Sequence, residues 1–190
     1  MFKYFTNLFS STTTKKTRGT PLLDQLFKAV KNGDIPAIET LLPQFTESEL
    51  CSPSLPQGNI TVLHMAMRAP EEKVDPIVKL LLSKAPNLVN VPGGYFGKTP
   101  IQIAAEQGFL NAIQTLIQAG AYLMLIDRQS RTILHAVVSY SKNTAHMLQL
   151  CLRELTKQLP DPEVLKQFIN QRKRPTNPTI AGFLNFPPIR

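Results

Sequence analysis

Apolar positions recur at spacings of three and four along most of this chain. Ile77, Leu80 and Leu81 form one such stripe, and Ile113, Leu116 and Ile117 form another. Upstream, Leu26, Phe27, Ala29 and Val30 lead through Asn32-Gly33-Asp34 to Ile38, Leu41 and Leu42. Downstream, Met147, Leu148, Leu150 and Leu152 form a stripe that takes in Cys151. This is the period of helices that bury one face. The punctuation agrees. Thr99-Pro100 joins a capping threonine to a proline at the first helical position. Asp75-Pro76 predicts a second helix start of the same kind, and Asp161-Pro162 a third, running through about Ile169. Gly108 and Gly120 fall where helices should end, because glycine accepts a left-handed backbone. Pro43 to Ile60 reads as an irregular connection around Pro53 and Pro56, with one helical turn suggested by the capping-box spacing of Thr46 and Glu49.

The stripes belong to a repeat. Gly97-Lys98-Thr99-Pro100-Ile101-Gln102-Ile103-Ala104-Ala105-Glu106-Gln107-Gly108 is followed by Ile113, Leu116, Ile117 and then Gly120-Ala121. The same grammar recurs as Thr61-Val62-Leu63-His64-Met65-Ala66 and as Thr132-Ile133-Leu134-His135-Ala136-Val137. Thr61, Thr99 and Thr132 lie 38 and 33 residues apart. The second interval is the ankyrin period, and the first carries a five-residue insertion. These segments resemble ankyrin repeats. The resemblance implies an all-α solenoid of helix-turn-helix units with short hairpin loops. It places repeats at about 20–45, 58–90, 94–126 and 127–169, with a degenerate or truncated one at 170–190, where Thr176 and Ala181 keep the offset. Residues 1–19 read as a mobile tail. Irregular spacing of this kind resembles ankyrin proteins that intracellular bacteria or large viruses direct into host cells.

The resemblance also implies where binding falls, since ankyrin proteins bind through hairpin tips and the exposed ends of inner helices. In the third repeat these positions are Tyr95, Phe96, Lys98, Glu106 and Gln107. In the fourth they are Arg128, Gln129, Arg131, Ser139 and Tyr140, and in the second Arg68 and Ala69. Arg172, Lys173 and Arg174 fall on the last tip. Two adjacent aromatics between Gly94 and Gly97 suit binding, because aromatics and arginine dominate interface hot spots; the alternative is that Phe96 folds back onto the helices. Arg128, Arg131 and Arg172–Arg174 suggest a basic ridge for an acidic protein segment or phosphate groups, against an alternative of ordinary solvated charge. His64 and His135 occupy the histidine of the Thr-Pro-Leu-His pattern, which in the family braces the turn. His146 stands alone on a helix.

Composition narrows the function without choosing a partner. The chain carries 21 basic and 13 acidic residues, a net charge of +8, which permits attraction to acidic proteins, nucleic acid or anionic lipid. The expected partner is another protein, through an acidic surface or peptide, with the chain a monomer. Nucleic acid is not the expected partner, and membrane contact rests on Phe2, Phe5 and Phe9 within residues 1–9. Cys51 and Cys151 are too few and too far apart for a disulfide scaffold or a zinc site, and read as reduced thiols. Catalytic and phosphate-loop motifs are missing, so no enzyme activity and no cofactor are expected. The apolar stretch near Met1 is too short for a secretory signal, and no run approaches the roughly 18 residues of a membrane span. An intracellular, cytoplasmic chain is the expectation, with the nucleus suggested by Gln171-Arg172-Lys173-Arg174-Pro175. The competing reading is a targeting module of a larger protein, or charge-driven association with a membrane or nucleic acid.

Overall fold

The structure, a computed structural model, describes residues 21–54, 57–139 and 144–170. Tyr140, Arg172, Lys173, Arg174, Thr176, Ala181, the N-terminal segment 1–19 and Gln171-Arg172-Lys173-Arg174-Pro175 lie outside the described residues.

The described chain folds into ten α-helices: α1 (Pro21–Asn32), α2 (Ile35–Leu41), α3 (Glu47–Cys51), α4 (Val62–Ala66), α5 (Glu71–Lys84), α6 (Pro100–Gln107), α7 (Leu110–Gln118), α8 (Ile133–Ser139), α9 (Thr144–Gln158) and α10 (Pro162–Ile169). They pair as α1/α2, α4/α5, α6/α7 and α8/α9. The inner helices α1, α4, α6 and α8 stack in a row, and α5 and α7 pack together on the other side. Between the rows lies one continuous apolar core that includes Leu26, Ile38, Leu63, Ile77, Leu81, Ile101, Ile113, Leu116, Val137, Met147 and Leu155. Ala66, Ala104 and Ala105 are fully buried, so small side chains let the inner helices approach. No pair could bury its own stripe alone, and stacking supplies the missing surface.

Local chemistry sets the boundaries. Gly108 caps α6 at φ +78°, and Gly120 follows α7 at φ +87°. Asp161 accepts from Glu163 N at 2.9 Å, which starts α10. Thr46 and Glu49 form a reciprocal capping box that starts α3. That helix buries Leu50, and its Glu47 accepts from Asn87 N at 2.9 Å, so this part of the connection between Pro43 and Ile60 is docked on the stack.

One expected start is corrected. Asp75-Pro76 does not open a helix. α5 begins four residues earlier at Glu71, and Pro76 lies inside it. A proline this close to the helix start removes a single i→i−4 hydrogen bond, while the extra turn buries Val74. Asp75 accepts instead from the Thr115 hydroxyl of α7 and pairs with Lys79 at 2.8 Å.

Candidate functional site: the hairpin tips and the concavity beside them

The inner helices α4, α6 and α8 each follow a turn, and these three turns join one another. Gly93 N donates to Lys98 O at 2.8 Å and closes the turn that holds Tyr95 and Phe96. Gly94 N donates back to Asn59 O at 2.8 Å, and Arg128 N donates back to Phe96 O at 2.8 Å. The three tips are thus linked through their backbones. Positive φ at Gly94 and Gly97 is what folds the turn back so sharply.

His64 fastens this turn to the second repeat. Its ring lies 2.9 Å from Lys98 O through Nε2 and 2.7 Å from Thr61 Oγ1 through Nδ1. A carbonyl only accepts, so Nε2 carries the proton and Nδ1 accepts from Thr61. Burial drives the His64 pKa down to about 4; the Lys98 carbonyl opposes that shift and nearby Arg68 adds to it. The ring is therefore neutral at pH 7. Gly93 fits because it has no side chain: a Cβ there would stand 2.7 Å from His64 Nε2.

In the third repeat Gln102 replaces the histidine. Its Oε1 accepts from Thr99 N at 2.9 Å, and its Nε2 donates to Leu125 O and Arg131 O at 3.1 Å each. In the fourth repeat His135 accepts from Thr132 in the same way. His146 is exposed on α9.

Tyr95 projects from the tip, 83% exposed, and Phe96 is 38% exposed. Their rings meet edge to face with centroids 5.1 Å apart. Lys98 Nζ and the Arg131 guanidinium lie 5.7 and 5.8 Å from the Phe96 centroid, within cation–π range. Phe96 thus stays at the surface, braced by cations instead of folding into the helices. Lys98 contacts both oxygens of Glu106. Arg131 pairs with Asp127 at 2.8 Å and with Glu106 at 3.7 Å. Arg128 donates to Tyr95 O at 3.0 Å.

Tyr95, Phe96, Lys98, Glu106 and Gln107 border one concavity of about 260 Å³, together with Arg68. Arg128, Gln129 and Arg131 form the neighbouring tip, and Ser139 ends α8 with its hydroxyl on His135 O. Ala69, expected on the exposed end of an inner helix, is buried. Of the basic ridge expected from Arg128, Arg131 and Arg172–Arg174, Arg131 is paired with Asp127 and Glu106 and Arg128 donates to the Tyr95 carbonyl, while Arg172–Arg174 lie outside the described residues. Sequence reasoning missed Ile60, Met67 and Ile103, which also line the concavity. It also missed Asp127, although its position four residues before Arg131 was a usable signal.

Both cysteines are free thiols. Burial raises Cys51 to about 11, with Glu47 adding to the effect, and raises Cys151 to about 12, so neither is a ready thiolate. Among the described residues no cluster of His, Cys, Asp and Glu is placed to hold a metal ion, and no helix is long and apolar enough to cross a membrane.

Stacked helix pairs with linked hairpin tips on one side define a helical-repeat solenoid. The family model described as ankyrin repeats (3 copies) matches residues 26–127 and again 63–158. The chain belongs to the ankyrin-repeat family. Members of this family are generally protein–protein interaction modules and typically non-catalytic. No curated protein matches the chain.

Proposed function

We propose that this chain is a non-catalytic scaffold that grips a partner protein with its third and fourth tips. Tyr95, Phe96 and Lys98 supply the first tip, Arg128, Gln129 and Arg131 the second, and Glu106, Gln107 and Ser139 the adjoining helix ends. The observation that carries this reading is Tyr95. A large aromatic is held out in solvent on a turn whose backbone is pinned on both sides. Its side chain does nothing for the fold that would repay such exposure, and aromatic anchors on pre-ordered loops bind with a small entropy cost.

The test is affinity capture from cell lysate, with wild type beside Tyr95→Ala/Phe96→Ala, read by mass spectrometry. A protein retained by wild type and lost by the double variant is the expected result, with a melting temperature within a few degrees of wild type. Equal capture by both proteins would remove these tips from the binding surface.

A further inference from the structure

The concavity beside Phe96 is uneven in charge. Arg68 stands on one rim, exposed, with no side-chain partner among the described residues. Four cations, Arg68, Lys98, Arg128 and Arg131, gather here around two carboxylates, Glu106 and Asp127. Asp127 is 2% exposed beneath Arg131, and Glu106, 23% exposed, is matched by Lys98, 18% exposed. Arg68 and Arg128 are exposed and the Arg131 side chain is 36% exposed, so an approaching ligand meets these three cations first. The lining below them includes the edges of Ile60, Met67 and the half-buried Ile103, beside His64 and Gly93. The volume of about 260 Å³ is below the roughly 300–1,000 Å³ of small-molecule sites. It suits one large side chain delivered by a longer chain.

We propose that this concavity receives an extended acidic peptide of a partner protein, with an apolar side chain on Ile60, Met67 and Ile103 and a carboxylate on Arg68. The proposal rests on the reading of the Tyr95–Phe96 tip as a docking surface, and adds the chemistry of what docks. A nucleic-acid strand fits less well. The three aliphatic residues Ile60, Met67 and Ile103 offer a base no hydrogen bonds through their side chains. Arginine pairs a carboxylate through two parallel N–H donors, so one acidic residue is enough to fix the register.

The experiment is selection of a displayed random-peptide library on the full chain. The winning peptides are then synthesised and titrated against wild type, Arg68→Lys, Arg68→Glu and Tyr95→Ala/Phe96→Ala. Melting curves check that each variant is folded. The expected winners carry an acidic residue near an apolar one. Arg68→Glu should weaken them by about tenfold or more, the scale of one charge-assisted pair. Arg68→Lys should weaken them less, and added salt should lower affinity. If Arg68→Glu binds as wild type while the aromatic double variant does not, the docking tip stands and the acidic chemistry is overturned. If neither variant changes binding, both readings fall. An empty selection overturns the proposal. So does Arg68-dependent binding of a poly(dT) oligonucleotide or of phosphatidylserine vesicles where no peptide binds.

Discussion

His64 holds Nδ1 toward Thr61 and Nε2–H on the Lys98 carbonyl, so a second proton would have to enter at the nitrogen that already accepts. The folded pKa of about 4 lies below the roughly 6.5 of an unfolded histidine. The unfolded chain therefore takes up a proton first. Stability from this residue is complete above about pH 6.5 and is lost as pH falls toward about 4, by on the order of 3 kcal/mol in all. Denaturant melts across that window should show the slope. Gln102 does the same bracing with an amide that does not titrate, so His64→Gln should fold and flatten the curve; an unchanged slope would move the acid sensitivity elsewhere. At the facing position, Gly93→Ala would press a methyl group into the His64 ring. Overpacking of this kind costs about 1–3 kcal/mol, and a chemical-denaturation midpoint equal to wild type would contradict it.

Elements depend on how tips and outer loops are tied. Ser130 sits at φ +61°, the conformation that Gly97 holds at the same place in the preceding tip. A non-glycine residue pays strain there of about 1–2 kcal/mol, partly offset by glycine's greater freedom when unfolded. Ser130→Gly should thus raise stability by roughly 0.5 kcal/mol, visible as a small increase in melting temperature. On the opposite side, the loop after α7 is stapled by two side-chain amides. Asn90 accepts from Tyr122 N at 2.8 Å and donates to Gly120 O at 3.1 Å. Gln158 accepts from Leu123 N at 3.0 Å and donates to Ala121 O at 2.9 Å. Helix starts with one dominant local cause, such as Thr99-Pro100 and Asp161-Pro162, were readable in the sequence. Asp75-Pro76 was misread because burial of Val74 and the hydrogen bond from Thr115 outweigh a single missing backbone bond, and both come from packing that the sequence does not display.

The whole molecule was legible because its order is repetitive: the same threonine-led segment returns at Thr61, Thr99 and Thr132, and Gly108 and Gly120 mark helix ends. The site was legible only in outline. Tyr95 and Phe96 stood out as aromatics between glycines, but the pairing of Lys98 and Arg131 with Glu106 and Asp127 brings together two tips and a helix end. Charge counting along the chain cannot show which cations are already answered. Stacking also makes stability collective. Leu116 is fully buried where α7 meets its neighbours, and Leu116→Ala should cost about 2–5 kcal/mol. Because each pair leans on the next, loss of helical signal on heating should still occur in one transition; a variant that melts in two separated steps would show that the stack does not act as a unit.

The backbone links from Asn59 to Gly94 and from Phe96 to Arg128 have a meaning for protein engineering. They make the row of tips a rail with fixed fittings and one interchangeable cartridge. The Phe96 ring sits against Lys98 of its own repeat and Arg131 of the next, so replacing it removes a contact shared by two tips. Tyr95 lends its neighbours only its backbone carbonyl and an edge contact to Phe96. A library varied at Tyr95 alone should keep the rail straight while changing what it recognises.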